Sequence, residues 1–233
     1  MKSPDWVYDD ELSKIISAQL SSQQRPVFLD IGAHAGFISL NILNSAPGTR
    51  IHAFEPGPFQ SELFRKTIKA NNLGSQITLY DFALGSKPGV SKFYCQQAPD
   101  ADWSMNNGLL NTGLGRGRLR TISVDVRTLD TWWQESGKPE IHAVKLDTEG
   151  AELLVLRGAV SLLRSTRPHV YLEINPLNLL PYPYDAFDLL AYFTEHSYRL
   201  HTFSGTLITS DNLTELLKDH ENFIATPLKP DGR

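Results

Sequence analysis

Cysteine is nearly absent from this chain of 233 residues, Cys95 being the one thiol. A single cysteine excludes an intrachain disulfide and a cysteine-based zinc cluster. Long hydrophobic runs are missing too, and no apolar stretch approaches the roughly 18 residues that would span a bilayer. The opening MKSPDWVYDDELSK has no basic segment followed by an apolar one, so the expectation is a soluble, cytosolic protein. Excess positive charge is the third absence. A net charge of -4 argues against a surface built to grip phosphate backbones, and nucleic acid is not the expected partner. What is present, 41% hydrophobic and 21% charged residues, is ordinary for one globular domain with a sizeable core.

Along the chain, short apolar runs of strand length alternate with longer stretches at helical spacing. This is the pattern of a mostly parallel sheet covered on both faces. The runs predict seven strands, at Val27 to Ile31, Arg50 to Phe54, Ile77 to Phe82, His142 to Leu146, His169 to Ile174, Tyr198 to Phe203 and Asn222 to Thr226. Helices are expected over Phe37 to Ser45, Pro58 to Asn71, Ala151 to Arg164, Asp185 to His196 and Leu213 to His220, with an amphipathic N-terminal helix over Asp10 to Leu20. An extra strand is read at Ser91 to Tyr94, an edge strand at Thr121 to Val126 and a short helix at Thr128 to Ser136. Between them, Cys95 to Arg120 contains NNGLLNTGLGRGRLR and has no apolar period, which reads as a long loop or lid. The whole is taken as one domain, residues 1–233, with 1–25 as a helical extension and 95–120 as the lid.

Three stretches carry chemistry. In FLDIGAHAGFISL a predicted strand ends in Asp30, and Gly32 and Gly36 frame the turn into a helix, so that backbone and ligand can approach closely. The dinucleotide fingerprint G-x-G-x-x-G is not matched, because His34 replaces its middle glycine, and Asp30 would repel a pyrophosphate. A cationic ligand such as S-adenosylmethionine suits this turn better than NAD. In IHAFEPGP, Glu55 ends the next strand roughly 20 residues on, where a carboxylate accepts hydrogen bonds from ribose hydroxyls. Asp81, after the third strand, is a candidate contact for adenine, and Ala33 and Ala83 stand beside these positions. In HAVKLDTEGAELLVLRGA, Lys145 and Asp147 alternate along a strand, and Asp147 and Glu149 would project at its carboxyl end. Buried there, such groups must pair or act.

The order DIGAHAGFISL, AFEPGP, TLD at Thr128 to Asp130, VKLDTEGAELLVLRGA and PHVYLEIN resembles the FkbM-like family of S-adenosylmethionine-dependent methyltransferases, over about residues 26 to 175. The resemblance implies a class I methyltransferase (Rossmann-like) fold, an α/β architecture with a seven-stranded, mostly parallel sheet, helices on both faces and one antiparallel strand. It also implies methyl transfer to hydroxyls of sugars, glycans or polyketide-type natural products. Carried onto this sequence, Asp30, Gly32, Gly36 and Glu55 match the cofactor motif, and Asp147 and Glu149 match the acidic pair after the fourth strand. His34 departs from the asparagine frequent at that position.

A hydroxyl needs its proton accepted as the methyl group arrives, and Asp147 is the expected base. Glu173, in YLEIN, is expected to orient the acceptor or share that role, and Lys145 to hold Asp147 by an ion pair. Mg²⁺ held by Asp147, Glu149 and Glu173 is an alternative that no dedicated motif favours. Trp103, Tyr182 and Tyr184 are candidate aromatic contacts for a small-molecule or glycan acceptor. Arg116, Arg118 and Arg120 suit either an anionic acceptor or a charged sheet edge. Asn175 to Leu177 reads as a turn. An RNA ribose 2′-O-methyltransferase, which would need a basic funnel, and a non-catalytic cofactor-binding domain are the rival readings.

Overall fold

The structure, a computed structural model, describes residues 5–97, 107–113 and 118–228. In chain order the elements are α1 (Asp5–Leu20), β1 (Val27–Ile31), α2 (Phe37–Ser45), β2 (Arg50–Phe54), α3 (Pro58–Ala70), β3 (Ile77–Tyr80), β4 (Ala83–Leu84), β5 (Gly89–Gln97) and β6 (Arg118–Arg127). They continue with α4 (Leu129–Glu135), β7 (Ala143–Leu146), α5 (Glu152–Arg157), α6 (Val160–Thr166), β8 (His169–Glu173), α7 (Pro176–Leu179), α8 (Ala186–Glu195), β9 (Tyr198–Thr202), α9 (Leu213–Leu216) and β10 (Asn222–Pro227). Among the described residues no helix is long and apolar enough to cross a membrane.

Seven strands form the main sheet in the order β3-β2-β1-β7-β8-β10-β9. All neighbours run parallel except β10, which is antiparallel to both β8 and β9. Side chains alternate between the two faces. Leu29, Ile31, Val144, Leu146, Val170 and Leu172 face the core beneath α5, α6 and α8, while Phe28, Ile51, Ala53, Ala143 and Tyr171 face the core shared with α1 and α2. Leu12, Ile16 and Leu20 of α1 are buried in that second core. The register places Asp30 opposite Lys145 on neighbouring strands, so both polar residues enter the face occupied by Phe28 and Ala143 and can meet only each other and the groups near them.

Several expectations are corrected by tertiary contacts. The single helix expected over Ala151 to Arg164 is two, because the chain at Gly158 lies against the Gly85 carbonyl: a Cβ at Gly158 would stand 2.2 Å from that oxygen. Gly158 accepts the Asp130 N–H at 2.8 Å, and the Asp130 carboxylate accepts the N–H groups of Ser161 and Leu162 at the start of α6. The third strand ends at Tyr80, and Ala83–Leu84 pair instead with β6 in a three-stranded sheet ordered β4-β6-β5. The expected loop is shortened at both ends, since β5 runs on to Gln97 and β6 starts at Arg118, paired through Cys95 with Arg120. A hairpin exposed on its polar face shows little apolar period, which is why it reads as loop. The strand expected at an edge is central in this small sheet, although only Val126 and Arg127 of it reach β4, so Arg118 and Arg120 lie where β6 has β5 on one side alone. Arg116 lies outside the described residues, as does Trp103.

Candidate functional site

At the carboxyl edge of the parallel strands, where β1, β2 and β7 end, lies a cavity of about 430 Å³. Open α/β sheets bind ligands at this edge. Its wall includes Gly32, Ala33 and His34 after β1, Glu55 and Pro56 after β2, and Lys145, Asp147, Thr148 and Glu149 at the end of β7. Apolar surface comes from Phe37, Phe54, Phe82, Leu84, Phe93 and Leu109, with Ala83 among them.

The turn after β1 is built by backbone demands. Gly32 has φ +75°, and a Cβ there would stand 1.7 Å from the Asp147 carbonyl oxygen; Gly36 has φ +88°, and a Cβ there would enter the Phe64 ring at 2.1 Å. His34 also adopts a positive φ, 48°. The Gly32 and Ala33 N–H groups donate to the Phe54 carbonyl, both at 3.0 Å. Glu55 tightens the same turn, its Oε2 accepting the His34 N–H at 2.9 Å and its Oε1 the Gly57 N–H at 2.7 Å. Burial pushes the Glu55 carboxyl up to about 7, against the pull of those two N–H donors.

Asp30 and Gly36 lie beneath the cavity rather than in its wall. Asp30 is fully buried: its Oδ2 accepts the Ser39 hydroxyl at 2.6 Å, and its Oδ1, with no hydrogen bond, stands 3.7 Å from Lys145 Nζ. Desolvation raises its carboxyl above the usual range, opposed by Lys145 and Ser39. Lys145 donates to the Gly32 carbonyl at 2.8 Å and lies 3.2 Å from Asp147 Oδ2. One buried cation thus ties the glycine turn to the end of β7.

Beyond Asp147 the chain turns sharply, with Glu149 at φ +56° and Gly150 at φ +99°. Glu152, missed as a site residue in the sequence, holds this turn: its Oε1 accepts the N–H groups of Thr148 at 2.8 Å and Gly150 at 3.2 Å and the Thr148 hydroxyl at 2.9 Å. Burial raises its carboxyl to about 7. Asn178 of α7 donates from Nδ2 to Glu149 Oε2 at 2.8 Å and to Glu173 Oε2 at 3.2 Å. Burial, with Asp147 and Glu152 as like charges, raises Glu149 to about 8; burial and the same neighbours, with Glu149 and Glu221, hold Glu173 well above the ordinary carboxylate range.

The structure therefore brings together Gly32, Ala33, His34, Glu55, Ala83, Lys145, Asp147 and Glu149 in one wall, with Glu173 reached through Asn178. It does not bring the others there. Asp81 is exposed on the turn after β3, 3.5 Å from Arg65. Tyr182 and Tyr184 are buried in the core, where the Tyr184 hydroxyl donates to the Gly150 carbonyl at 2.5 Å, so they support the turn from below. Among the described residues no group of three or more His, Cys, Asp or Glu is disposed to hold a metal ion, so Asp147, Glu149 and Glu173 are not gathered as a Mg²⁺ chelate. Asn175 accepts the Leu177 N–H at 3.0 Å as the cap of α7, with Pro176 following. The apolar lining at Phe37, Phe82 and Phe93 and the role of Asn178 went unread; for Asn178 the signal available was a polar residue in an apolar stretch just past a strand's carboxyl end.

Comparison with known proteins gives a consistent picture. The 2-O-methyltransferase NoeI of Sinorhizobium fredii (strain NBRC 101917 / NGR234) is 27% identical over 164 residues, covering 66% of this chain and 65% of that protein. The match thus spans just under two thirds of NoeI. The crystal structure of methyltransferase FkbM from Methylobacillus flagellatus KT superposes with a TM-score of 0.53 at 15% identity, over 88% of this chain and 45% of that one. The METTL16 methyltransferase domain gives a TM-score of 0.54 at 10% identity, over 98% and 71%. At those identities the likeness establishes the fold, that of the class I methyltransferases. The family profile described as the methyltransferase FkbM domain matches residues 30–200, from Asp30 in the glycine turn past the acidic turn after β7, and the chain belongs to that family.

Proposed function

We propose that the chain is an S-adenosylmethionine-dependent O-methyltransferase acting on a hydroxyl of a sugar, a glycan or a polyketide-type natural product. One observation carries this reading: Glu55, suited to ribose hydroxyls, and the carboxylates Asp147 and Glu149, suited to accept a proton, line the same cavity. The name of NoeI supports oxygen as the acceptor atom.

The residues fit the cofactor. Each Glu55 oxygen accepts one backbone N–H and keeps a lone pair for a hydroxyl. Phe54, Phe82, Leu84 and Phe93 supply apolar surface for a purine, and the 32–34 turn offers its backbone edge to the amino-acid end. When bound, S-adenosylmethionine supplies an electrophilic methyl group. Lys145 and Asp30 hold the turn in place, the aromatic lining excludes water, and a carboxylate after β7 takes the acceptor's proton, a contribution of about 10²–10⁴-fold.

Calorimetry at pH 8 with S-adenosylmethionine, S-adenosylhomocysteine and NAD tests the reading. Micromolar binding of the first two is expected. Glu55→Ala should weaken it roughly 10- to 100-fold, as loss of a charged hydrogen bond of about 1.5–3 kcal/mol requires. Preference for NAD would refute the assignment. A panel of methyl glycosides, assayed with labelled methyl donor, then tests the acceptor class.

A further inference from the structure

The acidic turn after β7 holds two carboxylates in unlike surroundings. Asp147 stands 3.2 Å from Lys145, whose amino group also serves the Gly32 carbonyl and Asp30. A proton on Asp147 would deprive a buried cation of one of the two carboxylates beside it. Among the described residues Glu149 has no ion pair of this kind, Lys145 acting on it from farther away. Glu149 lines the cavity, and its Oε2 is held by the amide of Asn178, a residue only 3% exposed.

The fold accepts two costs to place this group. Glu149 sits at φ +56°, a conformation that side-chain-bearing residues rarely adopt and that persists where the surroundings over-determine it. Here they do: Glu152 binds the flanking N–H groups, and Gly150 is pressed so closely on α7 that a Cβ would stand 2.3 Å from the Asn178 carbonyl oxygen. The second cost is Asn178 Oδ1, buried without a hydrogen-bond partner. Both N–H bonds of that amide go to carboxylates, one to Glu149 and one to Glu173. Glu173 is not in the cavity wall, so the amide ties the carboxylate of a wall residue to one outside the wall.

We infer that Glu149, rather than Asp147, takes the proton of the acceptor hydroxyl, and that Asn178 is its positioning residue. The inference rests on the methyl-transfer reading and names the base within it. As the acceptor oxygen bonds to the methyl carbon, the carbon–sulfur pair returns to sulfur, the O–H pair stays on oxygen and the proton passes to Glu149. A sulfonium and a carboxylate become a thioether and a neutral acid, and Glu149 later releases its proton to solvent. The groups facing Glu149 set its poise: Asp147 and Glu152 as like charges, Lys145 as the cation, Asn178 as the donor and Glu173 as the carboxyl that shares that donor. A midpoint raised to about 8 makes Glu149 a stronger base than an ordinary carboxylate, one that is ionised mainly above that pH.

The test is a carbon-detected NMR titration of the chain labelled at glutamate carboxyls, with Glu149→Gln giving the assignment. Glu149 is expected to titrate near pH 8. Its midpoint should fall in Asp147→Asn, which removes a like charge, and rise in Asn178→Leu, which removes a donor while keeping the site filled. Retained S-adenosylmethionine binding checks the fold of each variant. In transfer to the methyl glycoside panel, Glu149→Gln should lose about 100-fold or more and Asp147→Asn distinctly less, and Asn178→Leu should move the pH profile upward. Titration of Glu149 in the ordinary carboxylate range, a midpoint unmoved by Asn178→Leu, or a Glu149→Gln variant as fast as the parent would overturn the assignment. A parent protein that binds no S-adenosylmethionine would overturn the methyl-transfer reading itself, a result the titration keeps apart from the first.

Discussion

Adding one methyl group at Gly32 should destabilise the protein by an amount its geometry allows to be worked out. The new Cβ would stand 1.7 Å from the Asp147 carbonyl oxygen and 2.9 Å from its carbon, and Cβ atoms essentially never come under 3.0 Å. The turn after β1 and the end of β7 must therefore separate by at least 1.3 Å, the difference between those two limits. Both partners are backbone, so no side chain can swing aside. Overpacking of this kind costs about 1–3 kcal/mol, and φ +75° adds about 1–2 kcal/mol for a residue with a Cβ. The expected loss for Gly32→Ala is about 2–5 kcal/mol, or about 4–20 °C in Tm for a chain of this size. Urea unfolding against Gly48→Ala is the assay, since Gly48 has ordinary φ and nothing within 4 Å of its added Cβ and should change stability by no more than about 0.5 kcal/mol. If Gly32→Ala unfolds within that margin of the control, the contact between the two turns is not as described and the reasoning fails.

Two further outcomes follow from the buried charges. Glu55 and Glu152 sit near 7 and Glu149 near 8, all raised by burial from an unfolded value of 4.5, so between about pH 5 and 8 the folded chain keeps protons that the unfolded chain has released. Stability of the ligand-free protein should therefore be greatest near pH 5 and fall as pH rises to 8, Glu55 alone accounting for about 3 kcal/mol; a melting temperature that climbs over this range would contradict it. Lys145→Met should cost about 3–5 kcal/mol at pH 8 by stranding Asp30, and less at pH 5, since burial already raises the Asp30 carboxyl and a lower pH favours its neutral form. Urea melts at the two pH values check this, and a deficit as large at pH 5 would sink the ion-pair account.

How much could be read from the sequence depended on what each feature needs from distant parts of the chain. Strand β1, helix α2 and strand β2 fall where expected, at Val27–Ile31, Phe37–Ser45 and Arg50–Phe54, because buried apolar runs bounded by glycine and proline are local signals. The break between α5 and α6 was not legible, since it comes from Gly158 meeting Gly85 across the fold. In the site, Glu55 and the residues of the glycine turn could be placed because a strand's carboxyl end is where a ligand-facing group must stand. Tyr182 and Tyr184 could be seen as aromatics but not as supports of the Gly150 turn, and Asn178 gained its role only through the packing of the four-residue helix α7 against that turn. Pairwise contacts between segments far apart in sequence leave no periodicity behind.

Strand β9 reaches the main sheet only through β10, which lies between it and β8 and pairs Phe223 with both Leu172 and Thr202. During synthesis β8 must therefore wait with one edge open, and β9 with no strand to join, until residues 222–227 have emerged. Exposed edges of that kind invite pairing with other chains, and the long sequence separation slows closure. From the emergence of Glu173 until that of Pro227, the open edge of β8 is thus a place where pairing with another chain competes with closure of the sheet.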